Sequence, residues 1–234
     1  MSSKHTQRSL CIDTSSNKMT IALGLGNALA YEAYVEEGSS HCRELIPQIQ
    51  QALEKMQWSV KDLDFMAVGL GPGSFTGLRV GVATAKAFAW NEGLDLVGFS
   101  SMMAMANRIT DVEDVCVMQN ARKHRVYAAC YHRDATSWKV SVEEQDCDPI
   151  EFLEQFASPF PCLGDAKNNV VPLAEKKDLH LHWIHEDQPI KSLGTSIVEL
   201  GHTLYNQQQL MNVYQASPNY ARPNKSVATP GKVR

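Results

Sequence analysis

Residues 69–89, GLGPGSFTGLRVGVATAKAFA, join a glycine-rich turn directly to a helix with small residues down one side. The run Phe65-Met66-Ala67-Val68 before it is short, apolar and of strand type. The pattern fixes a strand–turn–helix unit. Gly71 and Gly73 reach backbone angles closed to other residues, Pro72 stiffens the bend, and Ser74 or Thr76 can cap the helix. On that helix Gly77, Gly81, Ala85 and Ala89 recur every four residues and form one narrow stripe. A stripe without bulk admits a close neighbour, and it reads first as a helix-docking surface and second as a ligand loop.

Familiar glycine motifs do not fit. A P-loop ends in Gly-Lys-Ser/Thr, whereas this loop ends Thr76-Gly77-Leu78. A dinucleotide fingerprint needs Gly-x-Gly-x-x-Gly, and the last position is Ser74 or Thr76 in the two registers available. A nucleophile elbow needs Gly-x-Ser-x-Gly, and Gly73-Ser74-Phe75 breaks it. What remains is a tight strand-to-helix turn, with an anion at the helix N-terminus as the other reading.

The chain has 234 residues, 44% hydrophobic and 21% charged, enough for one large domain or two small ones. A net charge of −4 gives no global attraction to nucleic acid. The polar segment 1–9 lacks the apolar centre of a signal peptide, and no run is long enough to span a bilayer. The expected setting is cytoplasmic, with no membrane contact. Six scattered cysteines without a Cys-x-x-Cys pair point to reduced thiols rather than disulfides or zinc.

Strands are expected at residues 10–15, 19–25 and 28–35, the last two joined by a Gly26-Asn27 hairpin. Residues 40–58 have helical spacing, with Leu45, Ile46, Ile49, Ala52, Leu53 and Met56 as the apolar residues. The glycine helix follows, then a strand at 94–99 and a short helix through 109, capped by Ser100 or Ser101. This order implies an α/β fold with mixed sheets and helices on their faces. Further strands are expected at 112–118, 126–132, around Val140 and Val142, and at 179–184, with helices at 149–156 and 196–205. No sequence repeat is visible. The tail after Tyr220 is basic and reads as a mobile terminus.

Ile12-Asp13-Thr14-Ser15 with its hairpin, and GLGPGSFTGLR at 69–79, resemble the bacterial TsaB (YeaZ) family. Weaker matches are His41, Ala121-Arg122 before Val126-Tyr127, Gly164-Asp165, and Pro218-Asn219-Tyr220-Ala221-Arg222. The resemblance is strong through Ile109 and thin afterwards. It implies an actin-like, sugar-kinase-like fold of two ribonuclease-H-like lobes, placed here at residues 1–110 and 111–234. It also implies a non-catalytic subunit that binds and sustains TsaD, with TsaE, in threonylcarbamoyl transfer to the adenosine beside the tRNA anticodon. Self-association in the absence of TsaD, and tRNA reached only through the complex, follow from the same resemblance. The family's docking surface is its first two helices. The expected contact residues are therefore Leu45, Ile49, Leu53, Gly77, Leu78, Gly81, Ala85 and Ala89. The family-motif loop comprises Asp13, Thr14, Ser15, Gly71, Gly73, Ser74, Phe75, Thr76 and Arg79.

The rival reading is an active kinase or ATPase of the same superfamily. Its members use a carboxylate after the first strand and a glycine turn around phosphate. Asp13 holds that position, but Asp13-Thr14-Ser15-Ser16 has no glycine, and Asn120 stands where the second lobe should bring an acid. No cofactor of its own is expected; ATP or ADP would bind only at a composite site with partners. A peptidase would need a nucleophile–base pair that the sequence lacks. His41 has Leu45, not histidine, four residues on, and no metal site is expected. If 179–184 is a strand, His180 and His182 share a face and His185 points away. Arg122-Lys123-His124-Arg125 reads as a solvated turn, with a local RNA contact as the alternative.

Overall fold

A computed structural model describes residues 5–35, 41–134, 137–156, 159–184 and 190–221, without the side chains of His41 and Cys42. The basic residues after Ala221, and His185, lie outside the described residues. The chain divides into two compact units, Met1–Asp111 with Glu186–Tyr220, and Val112–His185 with Ala221–Arg234.

The first unit has strands β1 (Arg8–Asp13), β2 (Met19–Leu25), β3 (Ala28–Val35), β4 (Phe65–Gly69) and β5 (Asp95–Phe99). They form one sheet in the order β3-β2-β1-β4-β5. β1, β2 and β3 are an antiparallel meander, while β4 and β5 run parallel to β1. β1 and β4 are buried at nearly every position because helices cover both faces. Leu10 and Ile12 join one core with Leu45, Ile49 and Ala85, from helices α1 (His41–Lys55) and α2 (Phe75–Glu92). Cys11, between them, joins the opposite core with Phe65, Ala67, Ile197 and Val198. The last two residues belong to α6 (Leu193–Asn206), so the segment around α6, expected in the second lobe, is built into the first unit.

Local chemistry sets the element ends. α1 stops short of Trp58 because Gln57 turns left-handed at φ 56°, and the Trp58 N–H donates to the Leu53 carbonyl at 2.9 Å. Ser74 caps α2 through the Gly77 N–H, and Gly93 ends it in the left-handed region. Ser100, not Ser101, caps α3 (Ser101–Ala106).

The second unit has β6 (Asp114–Asn120), β7 (Val126–Arg133), β8 (Trp138–Cys147), β9 (Phe160–Leu163) and β10 (Leu181–Trp183). Their order is β10-β9-β6-β7-β8, again an antiparallel meander continued by parallel strands on the other side of its first member. The two sheets therefore share one topology, that of ribonuclease H, although their sequences show no repeat. Asp148 caps α4 (Pro149–Leu153). α5 (Lys167–Glu175) was not expected: Pro172 and the adjacent Asn168-Asn169 pair hide it from pattern reading.

Candidate functional site

The motif loop is a closed polar knot. Asp13 ends β1 and is 3% exposed. Its carboxylate accepts the Ser15 N–H at 2.8 Å, and burial raises its pKa against hydrogen bonds from Ser15 and Ser101 that lower it. A Cβ on Gly69 would lie 2.6 Å from Asp13 Oδ2, so bare backbone closes that side. The Ser101 hydroxyl in turn accepts the Gly71 N–H at 3.2 Å. The ends of β1 and β4 and the start of α3 thus meet on one buried acid.

The small-residue stripe is spent on the same knot. Gly77, Gly81, Ala85 and Ala89 are all buried within the chain. The Thr14 hydroxyl donates to the Gly77 carbonyl at 2.8 Å. A Cβ on Gly77 would overlap the Thr14 carbonyl oxygen, one on Gly81 the Thr14 hydroxyl, and one on Gly73 the Ser15 carbonyl. Leu45, Ile49, Leu53 and Leu78 are equally buried. The eight residues expected to meet a partner are therefore buried within this chain, and the close neighbour of Gly77 and Gly81 is the β1–β2 connection.

The outward face of α2 is the one left open. Thr76, Ala83 and Ala87 are exposed and Val80 half-buried, a row at helical spacing with small or apolar side chains. Beside it, α1 packs against α2 and exposes Pro47, Gln50 and Ile46, the last at 39%. The far flank of α2 carries the returning chain. Lys86 Nζ donates to the carbonyls of Tyr214 and Ala216 at 3.2 and 3.0 Å, and Trp90 Nε1 to the Tyr214 hydroxyl at 3.2 Å. Arg79 Nε donates to the Tyr220 hydroxyl at 3.2 Å and lies over the Phe75 ring. Two motif pieces far apart in sequence, GSFTGLR and PNYA, are thereby joined. Phe75 and Thr76 remain exposed.

In the second unit the Asn120 N–H donates to Asp165 Oδ1 at 2.7 Å, its amide to the Asp165 carbonyl at 2.9 Å, and its Oδ1 accepts from Asn169 at 2.5 Å. Asn120 and the Gly164-Asp165 motif so form one hydrogen-bonded corner. Sequence spacing missed a thiol row: Cys116 pairs with Cys130 and with Cys162 across three neighbouring strands. Burial, with its two thiol neighbours adding to it, pushes Cys116 up, and all three thiols are buried in the core. Also missed was buried His202 on α6, whose Nε2 is 3.1 Å from the Ser9 hydroxyl. Neither is foreshadowed by spacing, because each depends on register between distant segments. Among the described residues no cluster of His, Cys, Asp or Glu is arranged to hold a metal ion, and no helix is long and apolar enough to cross a membrane.

The family model for TsaD, tRNA N6-adenosine threonylcarbamoyltransferase, matches residues 36–180, more than half of the chain. The chain is 28% identical over 227 residues to the tRNA threonylcarbamoyladenosine biosynthesis protein TsaB of Escherichia coli, covering 93% of this chain and 95% of that one. The chain belongs to this family, on its TsaB (YeaZ) branch. An uncharacterized Mycobacterium tuberculosis protein is 32% identical over 194 residues, covering 79% of this TsaB-family chain and 89% of its own length. YeaZ from Pseudomonas aeruginosa superposes with a TM-score of 0.76 at 20% identity, covering 92% of this chain and 99% of that one, which establishes the shared fold.

Proposed function

We propose that this chain serves tRNA threonylcarbamoyladenosine biosynthesis as a non-catalytic subunit that docks TsaD through the outward faces of α1 and α2. The observation that carries this reading is the open row Thr76, Val80, Ala83 and Ala87, flanked by Ile46 and Pro47 of α1. Small side chains on a capped, well-anchored helix let a second helix approach closely and bury apolar surface without clefts. The name of the Escherichia coli relative supports the pathway. In the absence of TsaD the same face pairs two copies of the chain, since a self-complementary helix face suits a two-fold contact. TsaE joins the TsaD-bound form, tRNA is brought by the complex, and nucleotide binds only where partners complete a site. The setting is the cytoplasm.

The non-catalytic part rests on Asp13. A carboxylate sealed by Gly69 and Ser101 has no open side for a hydrated cation. The test is mass in solution, alone and mixed with TsaD from the same organism. A homodimer that exchanges into a one-to-one heterodimer is the expected result. No complex, together with magnesium-dependent ATP turnover by the chain alone, would overturn the reading in favour of a kinase or ATPase.

A further inference from the structure

The β6–β7 hairpin carries Arg122, Lys123, His124 and Arg125 in succession, in a chain of net charge −4. The Arg125 N–H donates to the Arg122 carbonyl at 3.3 Å, and the two central residues, Lys123 and His124, have φ of 57° and 62°. Two left-handed central residues make this a type I′ turn, whose preferred occupants are Asn and Gly. A lysine and a histidine held there are strained, and strain of this kind concentrates where side chains have a task.

The charges are sorted along the hairpin. Arg125 Nε donates to Asp146 Oδ1 at 2.5 Å and Nη2 to the Asp146 carbonyl at 2.6 Å, which ties the base of the hairpin to β8 and neutralises it. Arg122, Lys123 and His124 are exposed, and among the described residues none of them makes an ion pair or a side-chain hydrogen bond. The surroundings are not those of a protein interface, which has a desolvated apolar centre. Among the described residues of this unit the large exposed apolar side chains are Val140, on β8 opposite Tyr131 and far along the strands from the turn, and Leu173 within α5; none lies on the turn itself. Projected cations without an apolar centre suit a polyphosphate backbone, which is bound by charge and not by sequence.

We propose that the Arg122–His124 tip contacts the phosphate backbone of RNA. This goes beyond docking, which brings tRNA only through the complex, and it takes from the docking reading the choice of RNA as the polyanion. The tip adds a weak, sequence-independent contact that orients an RNA already recruited. Arg122 and Lys123 supply the charge, and the Arg125–Asp146 tie holds the tip out from the sheet.

The test is fluorescence anisotropy of an unmodified tRNA transcript titrated with the full-length chain in its TsaD complex over a range of salt. Saturable binding should weaken as salt rises. Arg122→Glu with Lys123→Glu should weaken it at least about tenfold and flatten the plot of log affinity against log salt by about 1.4 or more, since each phosphate contact contributes about 0.7–0.9. Arg122→Gln with Lys123→Asn and His124→Gly removes the charge while suiting the turn, so it guards against a folding artefact and should give the same loss. Two-way comparison with polyglutamate separates the partner classes. Unchanged affinity and slope in both variants, or no binding by the wild type, would overturn the proposal. So would a loss seen with polyglutamate alone, which would assign the tip to an acidic protein. Both variants should still exchange into the TsaD complex, so failure of the RNA contact and failure of docking are read separately.

Discussion

The Thr14 hydroxyl donates to the Gly77 carbonyl oxygen at 2.8 Å while filling the place where a side chain on Gly81 would stand. One hydroxyl therefore pins the β1–β2 connection onto the first two turns of α2, and the two glycines are needed by this chain's own fold. Gly81→Ala would gain about 1 kcal/mol of helix propensity, yet overlap with Thr14 should outweigh it, for a net loss of roughly 1–3 kcal/mol. Thr14→Ala removes the overlapping oxygen. The double variant should be more stable than the sum of the singles predicts, a coupling readable in urea midpoints. Strict additivity would mean that the helix moves away from Thr14 without cost.

Ala83 and Ala85 lie two residues apart on α2, one exposed and one buried. Ala85→Glu puts a charge into the core and should cost several kcal/mol or abolish folding. Ala83→Glu should leave stability within about 0.5 kcal/mol and weaken TsaD binding and self-association more than tenfold. Paired melting curves and sizing of both variants check this. A soluble, folded Ala83→Glu chain that still forms the TsaD complex at wild-type strength would remove the outward face from the docking reading.

The contrast between those two alanines also marks the limit of what the sequence discloses. The strands at 19–25 and 28–35, and the glycine helix, are legible because short apolar runs, a turn residue and a capping serine agree with one another. The direction of the stripe is not legible. Spacing says that something comes close to Gly77 and Gly81, but only the folded β1–β2 connection says that it is Thr14. Arg79 and Tyr220, Ser9 and His202, and Cys116 and Cys162 meet across long separations, so no local pattern brings them together. α6 is legible as a helix, but a helix's period carries no record of which sheet it will cover.

His202 supplies a pH signature. It is buried on the inward side of α6, 3.1 Å from the Ser9 hydroxyl, with the Phe65 ring edge-on at 4.8 Å. Burial lowers its pKa, against a smaller opposing pull from Asp64. The unfolded chain therefore takes up a proton near pH 6.5 while the folded chain does not. Its contribution to stability is complete above that pH and is lost as pH falls below it, until the folded pKa is reached. Urea midpoints measured from pH 7.5 to 5 should fall for the wild type and fall less for His202→Gln. Parallel curves would show that His202 is protonated in the fold and that another group governs the acid limb.

Asp13 has the opposite sign and separates the two functional readings. Its pKa is raised by burial, so the folded chain holds this proton to higher pH than the unfolded chain does. The carboxyl therefore costs stability as pH rises from about 3.9 towards the folded value. Asp13→Asn keeps an oxygen for the Ser15 N–H and removes the titrating group. The variant should be more stable than the wild type at pH 7, with the gain shrinking towards pH 4. If the chain acts by docking, Asp13→Asn should also restore threonylcarbamoyladenosine to tRNA in cells that lack the native protein. A variant that folds, binds TsaD and yet restores none would place Asp13 in the chemistry, because docking and folding would then both be intact and only the carboxylate's charge missing.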